Sequence, residues 1–238
     1  MEKLDAIGSL LVAEEKQQRR AGRPKTPLLN RQLILETALR LLDERGESGA
    51  SMREVARELG VRPSALYNHV SGREELIAGI REQISDRMDV GVFDRLEWDA
   101  AMISWADSYR AAFAAHPPTI ALLATQPLSA DARTSLMYDL VSRALVDAGW
   151  PRERALSVIV AIESFVLGSA LDAAADPTML DPGARDDVPD FAAAYAARNA
   201  HLAAAGTSPA DDAFQLGIRA IVHGLRAELE SLRGSALK

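Results

Sequence analysis

The sequence predicts an all-α fold, in which a small helix-turn-helix unit precedes a larger helical body. Apolar residues recur at helical spacing from Asn30 onward, and no segment alternates apolar with polar residues as a half-buried strand would. Pro and Gly divide the chain into segments of helical length, and Gly60 joins two short ones by a turn. These observations divide the chain into an N-terminal arm at 1–27, a helix-turn-helix domain at 28–74 and a helical body at 75–238.

The arm combines an apolar start with a basic end. Residues 1–15 carry apolar side chains at roughly helical spacing, which fits either a short amphipathic helix or a frayed tail. Residues 16–27 are basic and are punctuated by Pro and Gly, which predicts a linker.

The first helix of the domain is predicted from about Asn30 to Arg45, because Gly46 and Gly49 then interrupt the pattern. Its apolar face comprises Leu33, Ile34, Thr37, Ala38, Leu41 and Leu42.

Residues 51–69 predict the helix-turn-helix itself. Ser51 caps the first helix, Gly60 permits the tight turn, and Pro63 starts the second helix without losing a hydrogen-bond donor. The residues expected to face the core are Val55, Ala56, Leu59 and Leu66. A unit of this kind lays its second helix in the major groove of DNA.

The second helix carries side chains suited to reading bases. Ser64 and Asn68 lie on its exposed side with Pro63, and Asn pairs bidentately with adenine. Tyr67 and His69 are expected to contact phosphates through a hydroxyl and an imidazole. The alternative for Tyr67 and His69 is that they complete a small three-helix core.

Three arginines are expected to add contacts. Arg53, in the first helix of the unit, can reach a guanine edge or a phosphate. Arg73 follows a turn and points a cation at the DNA backbone beside a helix N-terminus, itself an anion site. Arg23, between Gly22 and Pro24 of the arm, can lie in a narrow A·T-rich minor groove. A merely solvated linker is the alternative for the arm.

The distribution of charge supports DNA binding although the net charge is −7. Residues 16–73 contain twelve Lys and Arg against six Asp and Glu, whereas the remainder contains fifteen against twenty-eight. A basic N-terminal third on an acidic body is typical of a DNA-binding domain attached to a domain with another task.

The order of these residues resembles the DNA-binding domain of TetR-family transcriptional repressors, over about residues 30–85. The positions that carry the resemblance are Leu59-Gly60-Val61, Leu66-Tyr67, His69-Val70, Arg73 and Leu76. The resemblance implies a homodimer whose two heads lie one DNA turn apart on a palindrome-like operator of double-stranded DNA. It also implies repression relieved by a small-molecule effector, and it assigns DNA-contact roles to Arg53, Ser64, Tyr67, Asn68, His69 and Arg73.

The body is predicted to be entirely helical and to serve as the ligand-binding and dimerisation domain. One helix begins near Gly72, and an acidic loop rich in Pro and Gly is expected at 176–188. The other helices are predicted near 97–115, 118–125, 129–148, 152–175, 189–205 and 209–232.

Aromatic residues and one acid within an apolar stretch indicate where a small molecule could bind. Trp105, Tyr109 and Phe113 recur every four residues along one helix face, a pattern that is more often core than ligand site. Glu163 interrupts an apolar stretch, so it faces solvent or is satisfied by an Arg or by a cationic or hydroxylated ligand. The candidate ligand-binding residues are Trp105, Tyr109, Phe113, His116, Tyr138, Glu163 and Phe165.

The body resembles the tetracycline repressors most, with Thr125-Gln126-Pro127 in the place of a Thr-x-Pro turn. Their metal-binding His is replaced by Leu123, and their drug-binding Asn and Phe are replaced by Trp105 and Tyr109. A magnesium–tetracycline inducer is therefore not expected, and no metal or other cofactor is predicted.

Dimerisation is expected to use the helices at 152–175 and 209–232. Small residues in them, such as Gly168, Gly217 and Gly224, let helices approach closely. The alternative is that these two helices form only a monomeric core pair.

Other classes of function lack sequence support. The chain has no Cys, its four histidines lack metal-ligand spacing, and no catalytic motif is present, so an enzyme is not expected. The N-terminus lacks the pattern of a secretory signal, and polar residues interrupt the apolar stretch 155–171, which predicts a cytoplasmic protein without a membrane span. Two alternatives to a ligand-released repressor remain: a constitutive or architectural DNA-binding dimer, and a sensor whose head docks a protein. The basic arm argues against the latter.

Overall fold

The computed structural model describes residues 29–128 and 133–235, and its regular structure in these ranges is entirely helical. Two 3₁₀ turns lie at Gly46–Gly49 and Val90–Asp94. The α-helices are α1 Arg31–Arg45, α2 Met52–Glu58, α3 Pro63–Leu66, α4 Arg73–Ser85, α5 Trp98–Ala114, α6 Pro118–Ala124, α7 Thr134–Asp147, α8 Arg152–Ala173, α9 Pro189–Ala205 and α10 Pro209–Ser235. The predicted all-α fold is confirmed. The arm, with Arg23, lies outside the described residues.

Local signals set the ends of the helices in the head, and two of them, the Ser51 cap and the Gly60 turn, are those that the sequence predicts. The Asn30 side chain accepts a hydrogen bond from the Leu33 amide at 2.8 Å and caps α1. Ser51 caps α2 in the same way through the Glu54 amide at 3.3 Å. Gly60 adopts φ +66° in the turn, a left-handed conformation that favours glycine.

Helix α4 joins the head to the body. Its apolar stripe, predicted from the sequence, is buried at Leu76, Ile77, Ile80 and Ile84. It packs against α1 on one side and against α5 and α7 on the other. Gly79 lies so close to Leu35 of α1 that a Cβ atom there would overlap the Leu35 side chain, so α1 and α4 are tightly joined.

The body is built around α8, which packs against α5, α7 and α10. By length and composition, α8 is the one helix in the described part of the chain that could cross a membrane. Its buried residues include Ile159, Ile162 and Val166, which contribute to the core of the body. The packing therefore explains the apolar residues on one face of this helix, whereas Leu156, Val160 and Leu171 remain exposed on the rest of it.

The predicted body helices agree with the observed ones within a few residues. For the helix predicted at 129–148, residues 129–132 lie outside the described residues, and α7 begins at Thr134. Helix α9 differs from its neighbours because it buries Leu202 and leaves its other side chains exposed or half-buried. The acidic loop predicted at 176–188 contains no helix.

Candidate nucleic-acid interface and ligand cavity

The side chains predicted to contact DNA and described by the structure lie at the surface of the head. Tyr67 is 54% exposed, and His69 is also exposed, so neither completes the core as the alternative proposed. The other exposed members of the predicted set are Arg53, Pro63, Ser64, Asn68 and Arg73.

Two buried anchors explain why this surface points outward. Leu66 and Val70 are buried, and the amides of His69 and Val70 both donate to the Leu66 carbonyl at 2.9 Å. The three residues between the anchors are turned toward solvent as a result. The reading surface therefore consists of the short helix α3 together with the turn that follows it.

Arg73 differs from its predicted orientation. Its guanidinium donates to the Glu47 carboxylate at 2.6 Å and to the Ala50 carbonyl at 3.2 Å. These partners lie across the 3₁₀ turn before α2, so Arg73 ties the start of α4 to the helix-turn-helix instead of pointing freely at a DNA backbone. Arg73 is thus a positioning residue in this structure.

Sequence reasoning missed one exposed cation at the reading surface. Arg62 is the N-cap residue of α3 and is exposed directly before Pro63. Its exposed guanidinium is of a kind that contacts phosphates, and it directly precedes the exposed residues Pro63 and Ser64. The position of Arg62 directly before Pro63, which starts the helix, was the sequence signal that could have identified this residue as a candidate phosphate contact.

A cavity of about 270 Å³ lies within the body beneath α4. Helices α4 to α8 contribute to its walls. Its apolar lining residues are Met88, Phe113, Ile120, Leu123, Ala124, Leu128, Met137 and Leu167. Its polar lining residues are Arg81, Ser85, Tyr109, Thr134, Tyr138 and Glu163. Apolar walls with a few polar groups are typical of a small-molecule site.

Glu163 is the buried acid of the cavity, with 8% of its surface exposed. Its Oε1 atom accepts hydrogen bonds from the hydroxyls of Tyr109 at 3.1 Å and Tyr138 at 2.7 Å. Burial raises the pKa of Glu163, while the two tyrosine hydrogen bonds act in the opposite direction. Burial and the charge of Glu163 raise the pKa of both tyrosines, so both remain protonated donors.

Arg81 connects α4 to the far wall of the cavity, a role that sequence reasoning missed. Its guanidinium donates to the carbonyls of Leu123 at 2.9 Å, Gln126 at 2.6 Å and Pro127 at 3.0 Å. These carbonyls end α6 and form the turn after it. Burial lowers the pKa of Arg81. The signal for this residue was a cation placed four positions after Ile77 on the buried side of α4.

The cavity brings together four of the seven predicted ligand-binding residues: Tyr109, Phe113, Tyr138 and Glu163.

The other three predicted residues lie elsewhere. Trp105 is 0% exposed and packs in the core against Phe93 and Tyr109, with ring centroids 6.1 and 5.2 Å apart. Phe165 stacks on Phe214 at 5.7 Å, in the contact between α8 and α10.

His116 also lies away from the cavity, at the contact between head and body. Its Nδ1 atom is 2.6 Å from an Asp43 carboxylate oxygen of α1, and its Nε2 atom is 2.6 Å from the Arg87 guanidinium. Because the guanidinium can only donate, Nε2 accepts and Nδ1 carries the proton in this arrangement. In the described part of the chain, no group of three or more acidic, His or Cys side chains could hold a metal ion.

A helix-turn-helix head with an exposed polar surface, joined through α4 to a body with a cavity, defines a DNA-binding regulator with a sensor domain. The sequence profile of "Bacterial regulatory proteins, tetR family" matches residues 34–80, and that of "Tetracyclin repressor-like, C-terminal domain" matches residues 94–229. The chain belongs to the tetR family of bacterial regulatory proteins. The predicted family and the predicted function as a DNA-binding transcriptional regulator are both confirmed.

Relatives of similar length support this assignment. A protein from Saccharopolyspora erythraea described as an HTH-type transcriptional regulator is 28% identical over 230 residues, which cover 93% of each chain. The class A tetracycline repressor of transposon 1721 from Escherichia coli is 28% identical, over 81% of this chain and 88% of its own. The crystal structure of ActR from Streptomyces coelicolor in complex with (S)-DNPA is 25% identical with a TM-score of 0.63, and the match covers 84% of this chain and 98% of that one.

Proposed function

We propose that this protein is a homodimeric repressor that leaves its operator when a small molecule occupies the cavity. The observation that carries the proposal is that α4 belongs to both sites. It starts at Arg73, which is tied to the helix-turn-helix, and at Arg81 it lines the cavity. The structure of ActR with (S)-DNPA supports ligand binding in a relative of this fold.

The proposed DNA contacts divide into base reading and positioning. Ser64 and Asn68 face base edges in the major groove, while Tyr67, His69 and Arg62 hold the phosphates. Arg53 reaches a base or a phosphate from α2, and Pro63 packs beside the bases at the start of α3. In the arm, Arg23 enters the adjacent minor groove. Such a regulator acts where bacterial DNA lies, in the cytoplasm.

Release requires two conformations that the effector distinguishes. In one, the two heads match successive major grooves of the operator, and in the other they do not. An effector shifts the balance only by its difference in affinity for the two conformations. Arg81 lines the cavity and donates hydrogen bonds to the end of α6, which supports a role for this contact in the change.

The proposed dimer uses the outer faces of α8 and α10. Leu156, Val160 and Leu216 expose large apolar side chains there. A Cβ atom built on Gly168 or Gly224 meets nothing within 4 Å, so packing inside the described chain does not explain these glycines. Close approach of a partner helix does explain them, and a two-fold axis pairs the two heads as an operator requires.

A magnesium–tetracycline complex is not the proposed effector. Leu123, the residue in the place of the metal-binding His, lines the cavity, and its side chain has no atom that binds a metal ion. The effector is therefore proposed to bind through the apolar walls and through the polar groups of the cavity itself.

The experiment that tests this function measures operator affinity with and without an effector. An operator is first selected from random DNA with the full-length protein, and an effector is found by thermal shift with a library of small molecules. Ligand at a hundredfold its dissociation constant adds about 2.7 kcal/mol to stability. We expect the effector to weaken operator binding by roughly 5- to 150-fold. Unchanged operator affinity would instead favour a constitutive or architectural dimer.

A further inference from the structure

The carboxylate of Glu163 has one oxygen committed and one oxygen open. Oε1 accepts both tyrosine hydroxyls, and Oε2 has no hydrogen-bond partner among the described residues. The side chain is more than nine-tenths buried and lines the cavity. Because Glu163 lines the cavity, this unpartnered oxygen favours an occupant that supplies a hydrogen-bond donor.

No cation of the described chain neutralises this carboxylate. The influences that act on its pKa are burial and the two tyrosine hydrogen bonds, and no Arg, Lys or His contributes. Arg81, the cation of the cavity wall, directs its guanidinium at the carbonyls of Leu123, Gln126 and Pro127. An unpaired buried charge is unfavourable, so a positively charged occupant would stabilise the site.

The walls beside Glu163 are aromatic. The rings of Tyr109 and Phe113 are stacked, with centroids 5.3 Å apart, and Tyr138 adds a third ring next to the carboxylate. An ammonium group is attracted to the faces of such rings, most strongly where water is excluded. Aromatic rings and a carboxylate together therefore favour an organic cation over a neutral donor.

The size of the cavity limits the rest of the occupant. Its volume of about 270 Å³ lies just below the range of drug-sized ligand sites, roughly 300–1,000 Å³. Its remaining walls are apolar, with Met88, Ile120 and Leu167 among them. This space suits a skeleton of one or two rings.

We propose that the effector is a protonated amine on an apolar skeleton of one or two rings, with its ammonium group paired to Glu163 Oε2 among the rings of Tyr109, Phe113 and Tyr138. This inference rests on the proposed function, since it names the chemical class of the effector. Glu163 is then the residue that determines specificity.

Three probes on one skeleton test the charge requirement: 2-phenylethylamine, 2-phenylethanol and phenylacetate. Binding of each to the full-length protein is measured by titration calorimetry at neutral pH. We expect the amine to bind at least about tenfold more tightly than the alcohol, and the carboxylate to bind most weakly. An alcohol that binds as tightly as the amine, or no amine binding at millimolar concentration, would overturn the proposal.

Matched variants test whether the preference for the amine depends on Glu163. Glu163→Gln keeps an acceptor for both tyrosines but removes the charge, so this variant should bind the amine no better than the alcohol. Glu153→Gln, an exposed change on the same helix, should keep the preference for the amine. Loss of the preference in Glu153→Gln, or its survival in Glu163→Gln, contradicts the assignment.

Operator binding separates this inference from the proposed function. The same amine is added to the parent protein bound to its operator. If the amine binds with the expected preference but operator affinity does not change, the assignment of the cavity holds and the repressor mechanism fails. If another ligand releases the operator while the amine does not bind, the mechanism holds and the amine assignment fails.

Discussion

At the scale of single residues, Glu163 shows how a buried acid is satisfied in a way that its sequence context did not suggest. The sequence indicated that this carboxylate needs solvent, an Arg or a ligand. The structure provides two tyrosine hydroxyls, which lie 54 and 25 positions away along the chain. They satisfy one oxygen and leave the charge without a counter-ion.

Replacing Glu163 tests this arrangement through the pH dependence of stability. Because the folded protein raises the pKa of Glu163 above 4.5, the stabilisation associated with this group is complete below 4.5 and is lost as the pH rises through the folded-state value. Glu163→Gln cannot ionise. The free energy of unfolding of the variant, relative to the parent, should therefore increase from acidic to neutral pH.

Chemical denaturation of both proteins across this range measures that difference. A difference that stays constant or falls as the pH rises would show that the parent carboxylate does not pay a desolvation penalty in the fold.

Asn68 provides the residue-scale test of the reading surface. Asn68→Ala removes an exposed amide that is proposed to pair with a base, and it should weaken binding to the selected operator by about 1–3 kcal/mol. It should also relax base preference at one position. Asn199→Ala, an exposed change on α9, is the matched control. Operator binding by fluorescence anisotropy measures both, and a parental affinity in Asn68→Ala would exclude the base contact.

At the scale of elements, α4 is the helix that connects the DNA-binding head to the cavity of the body. It packs on α1 of the head and on α5 and α7 of the body, and it places Arg81 against the end of α6. The helix itself was predictable, because its apolar stripe and its start after Gly72 are local signals. The role of Arg81 could not be predicted, because the three carbonyls that accept its hydrogen bonds lie more than forty positions away in the sequence.

Arg81→Lys tests whether this contact couples the two sites. A lysine keeps the charge but cannot direct a planar guanidinium at three carbonyls. We expect the ligand-induced loss of operator affinity to shrink by about fivefold or more, within the usual range of such couplings.

Arg133→Lys is the matched control for this variant, because Arg133 pairs with Asp86 just beyond the end of α4. Operator titrations with and without effector compare the two variants with the parent. Equal coupling in all three proteins would show that Arg81 only stabilises the wall of the cavity.

The limits of prediction follow from the distance over which each signal acts. Helix caps, the Gly60 turn and the apolar stripes are local, so the fold could be predicted from the sequence. The residues proposed to read DNA lie almost consecutively on one short segment, so their exposure could be predicted as well. Trp105 and Tyr109 share one helix face, yet Trp105 packs in the core and Tyr109 lines the cavity. Only the packing of other helices distinguishes them.

At the scale of the whole molecule, the proposed dimer can be tested with two glycines, one beside open space and one packed against a side chain of the same subunit. Gly168→Leu adds a side chain where the described chain leaves open space, so it should disrupt the dimer without unfolding the subunit. Gly217→Leu should instead destabilise the subunit, because its Cβ atom would overlap the Phe165 ring. Sedimentation and thermal unfolding measure the two effects. A Gly168→Leu protein that remains dimeric would place the interface elsewhere.

The close contact between Gly79 of α4 and Leu35 of α1 couples the position of the head to the orientation of α4. Because α1 packs closely on α4, a tilt of α4 would carry α1 and the helix-turn-helix with it. A helix of 13 residues is about 20 Å long at 1.5 Å per residue, so a tilt of about 10° moves its far end by roughly 3–4 Å. In the proposed dimer, the separation of the two heads would then change by about 7 Å, against a groove spacing of about 34 Å. The proposed release from DNA would therefore need only a small rotation near the cavity.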